Sequence, residues 1–334
     1  MKRIYVSLAA VADRHSLRAA FLQAARGKRD RGDCRAFAAD LDQQIDGLRR
    51  GILDGSLALG RATRFVVFDP KQRVIHAPCF AERVLHHALM LHLGPVIERG
   101  LIAHTYACRV GRGQFKALDH AQACARRHRY FLKLDIRRYF DSIPHAPLLG
   151  QVERRVAGQG VLALVQRILA AYQSGEQPGV GLPIGALTSQ HLANLYLNAV
   201  DRQATEGLRI GGYCRYMDDI VLWDDSPARL RAALVDLSAV IAQLGLSWKP
   251  QPFLNRSALG LDFLGWRVYP GRRRLNRRSR RRLEQRVAAL EAAYHSGSIS
   301  AVALSRRATA AFSWAAQGDT RALRRRIAGQ TSEV

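Results

Sequence analysis

Apolar and polar positions alternate with period two over Phe131, Lys133 and Asp135 against Leu132, Leu134 and Ile136, which predicts a half-buried strand ending near Asp135. Tyr213–Met217 and Ile220–Trp223 predict two more short strands, closed into a hairpin by Asp218 and Asp219. Thr63–Asp69 and Arg73–Ala77 predict another hairpin around Pro70, Lys71 and Gln72. Helical spacing marks 14–27, 34–53 and 80–99. Another helix is expected from Thr188 to Asp201, with Thr188 or Ser189 as its cap. Ser226 and Pro227 open a helix whose apolar stripe, Leu230, Leu234, Leu237, Ile241 and Leu244, runs to a stop at Gly245. Near the end, Asp319 is expected to cap a last basic helix through Arg326.

Asp-Asp is a poor choice for a tight turn, because neither residue supplies positive φ as easily as Gly or Asn. Two carboxylates at a turn also repel one another unless a cation lies between them. A strand-end aspartate together with an aspartate pair on a hairpin suits two-metal phosphoryl transfer. Mg²⁺ favours a few carboxylates plus substrate phosphates. Such a hairpin could also be simply a solvated tip.

Tyr216-Met-Asp-Asp219, the Asp135 strand and Gly181-Leu-Pro-Ile-Gly-Ala-Leu-Thr-Ser-Gln190 together resemble a reverse transcriptase, in that family's order and spacing. Asp69–Ile75, Tyr106–Gly113 and Gly260–Gly265 extend the resemblance over nearly the whole chain. It implies an α+β right-hand polymerase fold with fingers, a palm built on a split βαββαβ antiparallel sheet, and a helical thumb. The expected divisions are a helical N-terminal extension (1–60), fingers (61–130), a palm (131–255) with an inserted fingers segment at about 145–187, and a primer grip with basic thumb (256–334).

Most reverse transcriptases carry Gln-Gly and then Ser-Pro in the third segment; this chain has Ile184-Gly185 and Ser189-Gln190. That combination is similar to the reverse transcriptases of diversity-generating retroelements. It implies copying of a template RNA into cDNA with errors at template adenines. Another bacterial reverse transcriptase, of the retron or antiphage-defence type, and a non-catalytic RNA-binding scaffold are the alternatives.

The resemblance also implies roles. Asp135, Asp218 and Asp219 are catalytic and, with Ile136, hold two Mg²⁺ ions, for which Mn²⁺ can substitute. Lys71, Arg73, Phe140, Pro183, Ile184 and Gly185 bind the dNTP, with Phe140 as a gate against a ribose 2′-hydroxyl. Ile184, Arg73 and Gln190 bear on fidelity, since an apolar residue under the nascent pair loses a hydrogen-bond check. Phe263, Leu264 and Gly265 form the primer grip. The chain departs from the family after the Leu246-Ser-Trp strand: Gln251 or Pro252 stands at the usual lysine position, and Lys249 comes earlier. Either Lys249 reaches the site from a shifted register or the usual lysine's role is absent, and Lys249 is left out of the catalytic set.

Composition supports a polynucleotide partner. The net charge is +25 and the pI about 11.0, nearly all of it from arginine. Arg272, Arg273, Arg274, Arg277, Arg278, Arg280 and Arg281 form the densest run and are expected on a thumb helix that tracks template RNA and the cDNA/RNA duplex. A small basic accessory protein is the other expected partner, by resemblance. Five scattered cysteines without a C-x-x-C pair argue against a zinc site and suit a reducing cytoplasm. No apolar run reaches the ~20 residues of a membrane span, and the N-terminus is too short for an export signal. The length leaves no room for a second catalytic domain. Adjacent His86 and His87 do not share a helix face, so structural roles are expected for them.

Overall fold

The computed structural model describes residues 2–68, 72–172 and 177–329. Its centre is a four-stranded antiparallel sheet in the order Gly212–Tyr216, Asp219–Asp224, Tyr130–Asp135 and Phe253–Arg256. Along the chain, helices intervene between the Tyr130–Asp135 strand and the 212–224 hairpin, and the helix Pro227–Gln243 between that hairpin and the Phe253–Arg256 strand.

The period-two pattern buries this sheet on both faces. Leu132, Leu134, Ile220 and Leu222 join one apolar core with the helix Pro227–Gln243 and the N-terminal helices. Phe131, Val221 and Trp223 join a second core with Leu261, Phe263, Trp266 and Leu283. Asp135 pairs directly with Asp219, so both carboxylates share a face with Lys133 at one end of the second core.

The helix Phe80–Gly100 is buried almost all round, with Leu85, Leu89 and Leu93 fully enclosed. Helices Arg14–Ala24, Gly32–Ala39 and Leu41–Leu53 pack around it. Phe21, Phe37 and Phe80 seal that contact at ring separations of 5.3–6.1 Å. The expected 34–53 helix is thus two helices, broken where Asp40 leaves helical geometry at φ −118° and ψ 41°.

Three further expectations are corrected. The helix after Gly185 runs Leu187–Tyr196 with Ala186 at its cap position, and Thr188 instead exchanges a 2.9 Å hydrogen bond with His86 Nδ1. The chain then turns at Leu197, resumes over Asn198–Arg202 and ends in a π turn, Gln203–Gly207. Asp319 does not cap the last helix by its side chain; its carboxylate accepts from the Arg273 amide at 2.9 Å, pinning the C-terminal helices to the strand Arg273–Leu275. The basic run is itself split, since Arg273 and Arg274 lie on that strand and the helix begins at Arg277. Asn276 caps it by accepting from Ser279 N at 2.8 Å. By contrast, Ser226 caps the helix Pro227–Gln243 as expected, and Gly245 takes the positive φ (67°) that ends it.

Candidate active site

The catalytic-type hairpin turns differently from its sequence reading. Asp219 already belongs to a strand, paired with Tyr216, so the turn residues are Met217 and Asp218. Met217 supplies the left-handed conformation, at φ 55°. An unbranched side chain tolerates this, at a cost of about 1–2 kcal/mol. The turn is braced from beneath by Arg215, which is fully buried. Its guanidinium grips Asp201 bidentately at 2.6 and 2.7 Å, donates to Asn194 O at 3.0 Å and reaches the Met217 carbonyl at 3.2 Å. Tyr213 and Thr105 complete the Asp201 carboxylate, at 2.6 and 3.2 Å. A buried charge is tolerated only when so fully partnered.

Asp135, Asp218 and Asp219 come together on the floor of a cleft of about 1540 Å³. Burial raises the pKa of Asp219 to about 7, opposed by Lys133 and assisted by its two carboxylate neighbours. Burial and the adjacent Asp135 carboxylate likewise raise that of Asp218. Two lysines answer this charge: Lys133 Nζ lies 3.3 Å from Asp219 Oδ2, and Lys249 Nζ pairs with Asp135 Oδ2. Asp135 Oδ1 and Asp219 Oδ1 are buried without a hydrogen-bond partner. Two orphaned hard oxygens beside a third carboxylate are a donor set suited to a divalent cation such as Mg²⁺. Among the described residues, no preformed group of three or more ligating side chains occurs.

Of the two alternatives for Lys249, the structure has the one in which it reaches the site from a shifted register. Its amide donates to the Asp135 carbonyl at 2.8 Å, which carries the side chain alongside. The edge bridge Ile136–Trp248 that makes this possible is a tertiary contact without a local sequence signal.

Of the expected nucleotide contacts, Arg73, Phe140 and Ile184 line the cleft. Neither Pro183, which is buried, nor Gly185, which is exposed, is part of its lining. Gly185 is required for close approach, since at φ 122° a Cβ would sit 2.7 Å from the His76 carbonyl. The Ile184 carbonyl accepts from His76 N at 2.8 Å, so the Ala62–Phe68/Gln72–Pro78 hairpin is tied to this segment. Lys71 lies outside the described residues. Gln190 does not line the cleft; its amide oxygen accepts from the Cys108 thiol at 3.2 Å. Ile136 lines the cleft beside Asp135.

Leu264 and Gly265 turn the hairpin Leu261–Phe263/Trp266–Val268 with φ of 50° and 84°, and both line the cleft, while Phe263 is buried beneath them. Lys133 Nζ donates to Asp262 O at 2.8 Å, joining this hairpin to the carboxylates.

The arginine run divides by face. Arg278, Arg282 and Arg286 line the cleft at i, i+4 and i+8. Arg282 closes the basic run read from the sequence, whereas Arg286, one turn further on, was missed although a spacing of four was visible. Arg273 turns inward, bonded to Asp119 at 2.7 Å and Gln317 O at 2.6 Å over the Trp266 ring. Arg280 pairs with Glu284 at 3.0 Å. Arg272, Arg274, Arg277 and Arg281 are exposed away from the cleft lining.

A large basic cleft floored by clustered carboxylates defines the class first, a site built for polyanions and cation-assisted chemistry. The family follows from comparison. Residues 69–268 match the family described as Reverse transcriptase (RNA-dependent DNA polymerase). The chain belongs to the reverse transcriptase family. It is similar to Protein YkfC of Escherichia coli, 24% identical over 64% of this chain and 56% of that protein. It is also similar to the group II intron-encoded protein LtrA of Lactococcus lactis, 26% identical over 40% of this chain and 23% of LtrA. Among solved structures, apo telomerase from Candida tropicalis superposes with a TM-score of 0.48 at 11% identity, over 64% of this chain and 55% of the other. The chain thus spans little more than half of one curated relative and under a quarter of the other. Among the described residues, no helix is long and apolar enough to cross a membrane.

Proposed function

We propose that the protein is an RNA-directed DNA polymerase that copies template RNA into cDNA from dNTPs, with errors at template adenines, in a diversity-generating retroelement. The observation that carries the polymerase reading is the convergence of Asp135, Asp218 and Asp219 in a cleft lined by arginines. Asp135, Asp218 and Asp219 would hold two Mg²⁺ ions, with Mn²⁺ as a substitute, and the ions would supply charge stabilisation at the attacking and leaving oxygens.

The chain's own residues do the rest. The 62–78 hairpin, with Arg73 on its cleft side, closes on the triphosphate, and Phe140 bars a 2′-hydroxyl. Leu264 and Gly265 hold the primer terminus against the carboxylates, coupled through Lys133. Lys249 pairs with Asp135 and is placed to meet a leaving pyrophosphate. Residues 61–130 act as fingers, 131–255 as palm and 256–334 as primer grip and thumb, behind the helical extension 1–60. A small basic accessory protein is the partner we assign, and the cytoplasm the compartment.

The mutagenic reading rests on Ile184. Its backbone is pinned by His76, so an apolar side chain is presented to the cleft where an amide would offer a hydrogen bond. Primer extension on an RNA template with Mg²⁺, sequencing products of wild type, Ile184→Gln and Asp218→Ala, tests both levels. Synthesis lost in Asp218→Ala supports polymerase chemistry at these carboxylates. Errors opposite adenine that fall in Ile184→Gln support the retroelement reading. Accurate copying by wild type leaves a reverse transcriptase of another bacterial kind.

A further inference from the structure

A second recess, of about 380 Å³, lies at the opposite end of the Tyr130–Asp135 strand from the carboxylates. The strand's two ends are five residue steps apart, about 17 Å at ~3.4 Å per step. Three segments meet there: the end of the helix Gln114–Arg127, the start of the strand, and Arg256, which pairs with Tyr130 across the sheet. They bring Arg126, Arg127, Arg129 and Arg256 around one opening, with Tyr130 and Pro270 in its walls.

The nearby Asp225 carboxylate offsets part of this charge, at Arg129 and His128. It accepts from the Arg129 amide at 2.9 Å and lies 3.5 Å from His128 Nδ1. Arg126 Nε donates to the Pro270 carbonyl at 2.7 Å, which sets the wall of the recess. Arg127 and Arg256 are exposed and form no ion pair among the described residues. Four guanidiniums around one opening repel each other, and an anion seated between them relieves the repulsion. Their planar forks match phosphate oxygens.

We propose that this recess is a second polyanion site, which takes the phosphodiester backbone of a polynucleotide strand running beyond the polymerase cleft. This rests on the polymerase reading, because a copied template necessarily extends past the catalytic floor. The opening accommodates a backbone unit rather than the broad flat face of a folded partner. A basic accessory protein is repelled from it.

The test is equilibrium binding of the full chain to labelled primer–template duplexes, read without synthesis. One template ends with the duplex; the others carry single-stranded flanks of roughly 15 nucleotides, ~50 Å at 3.4 Å each. Arg127→Gln/Arg256→Gln is the variant, chosen because neither side chain braces the fold, and Arg127→Lys/Arg256→Lys is its charge-retaining partner. The expected result is that flanks tighten wild-type binding and that the Gln variant loses this advantage while binding the unflanked duplex as before. The slope of log K against log salt on flanked templates should shrink by about 1.4, at ~0.7 per lost single-strand contact. The Lys variant should retain most of the slope. RNA and DNA flanks of one sequence separate the sources: loss on RNA alone assigns the template, loss on DNA alone assigns the product, and equal loss assigns backbone recognition of either. A flank advantage that survives Arg127→Gln/Arg256→Gln overturns the proposal, as does equal weakening on flanked and unflanked duplexes. Polyglutamate that displaces the flank as well as a polynucleotide of equal charge also overturns it, in favour of an acidic protein. Because no synthesis is read, an inert polymerase would count against the catalytic reading and leave this test intact.

Discussion

At the scale of single residues, the site is a balance between crowded carboxylates and two lysines. Asp135 stands directly across from Asp219 in the sheet, a like-charge pairing that disfavours the folded state unless cations intervene. Lys249 and Lys133 fill that role when no metal is bound. Replacing Lys249 by Met should therefore lower the rate of nucleotide addition on the order of 10²-fold, if it also serves as the acid for the leaving group. Single-turnover kinetics of Lys249→Met measures this, and a rate within a few-fold of wild type would show that the lysine only braces Asp135. The juxtaposition of Asp135, Asp218 and Asp219 was legible in the sequence because strand period placed them at strand ends and the resemblance to reverse transcriptases joined the two segments. Lys249 was not, because its proximity depends on an edge bridge between segments more than a hundred residues apart.

At the scale of elements, the hairpin bearing Met217 is held in its left-handed turn by buried electrostatics. Arg215 joins three segments, through Asp201, Asn194 and the Met217 carbonyl. Arg215→Met strands the Asp201 carboxylate in the core and should cost about 3–5 kcal/mol, whereas Arg215→Met/Asp201→Leu should recover much of it. Urea unfolding of both variants measures this, and equal losses would show that the pair is no coupled unit.

The contact between helices Phe80–Gly100 and Leu187–Tyr196 carries a second prediction. Burial lowers His86 to a pKa of about 4, against 6.5 when unfolded. The folded state thus resists taking the proton that the unfolded chain accepts. Its stabilising balance is complete above pH 6.5 and is lost as pH falls towards about 4, by on the order of 3 kcal/mol. His86→Asn should be less acid-sensitive than wild type by that difference in unfolding free energy between pH 7 and pH 4. Strand and helix identities here were readable from periodicity. The break at Asp40 and the cap at Ala186 were not, since Thr188 is drawn off to His86 by tertiary packing.

At the scale of the whole molecule, the charge of +25 is organised rather than spread evenly. The arginine run reads as one block in sequence, yet folding assigns its members to separate surfaces. Arg273 is consumed in bracing the C-terminal helices, and Arg277 and Arg281 point away from the cleft, while Arg278, Arg282 and Arg286 line it. Counting charges located the basic region but could not choose its working face; that required the helix start at Asn276, which fixes the phase. The phase has a measurable consequence. Arg278→Gln/Arg282→Gln/Arg286→Gln should weaken primer–template binding and shrink the salt slope by up to about 2.7, at ~0.9 per duplex phosphate contact. Arg277→Gln/Arg281→Gln, which removes charge from the same helix, should change the slope by much less. Titrations at several salt concentrations decide between them. If both variants flatten the slope per charge removed to the same degree, net charge alone governs binding and the cleft-facing row has no special role.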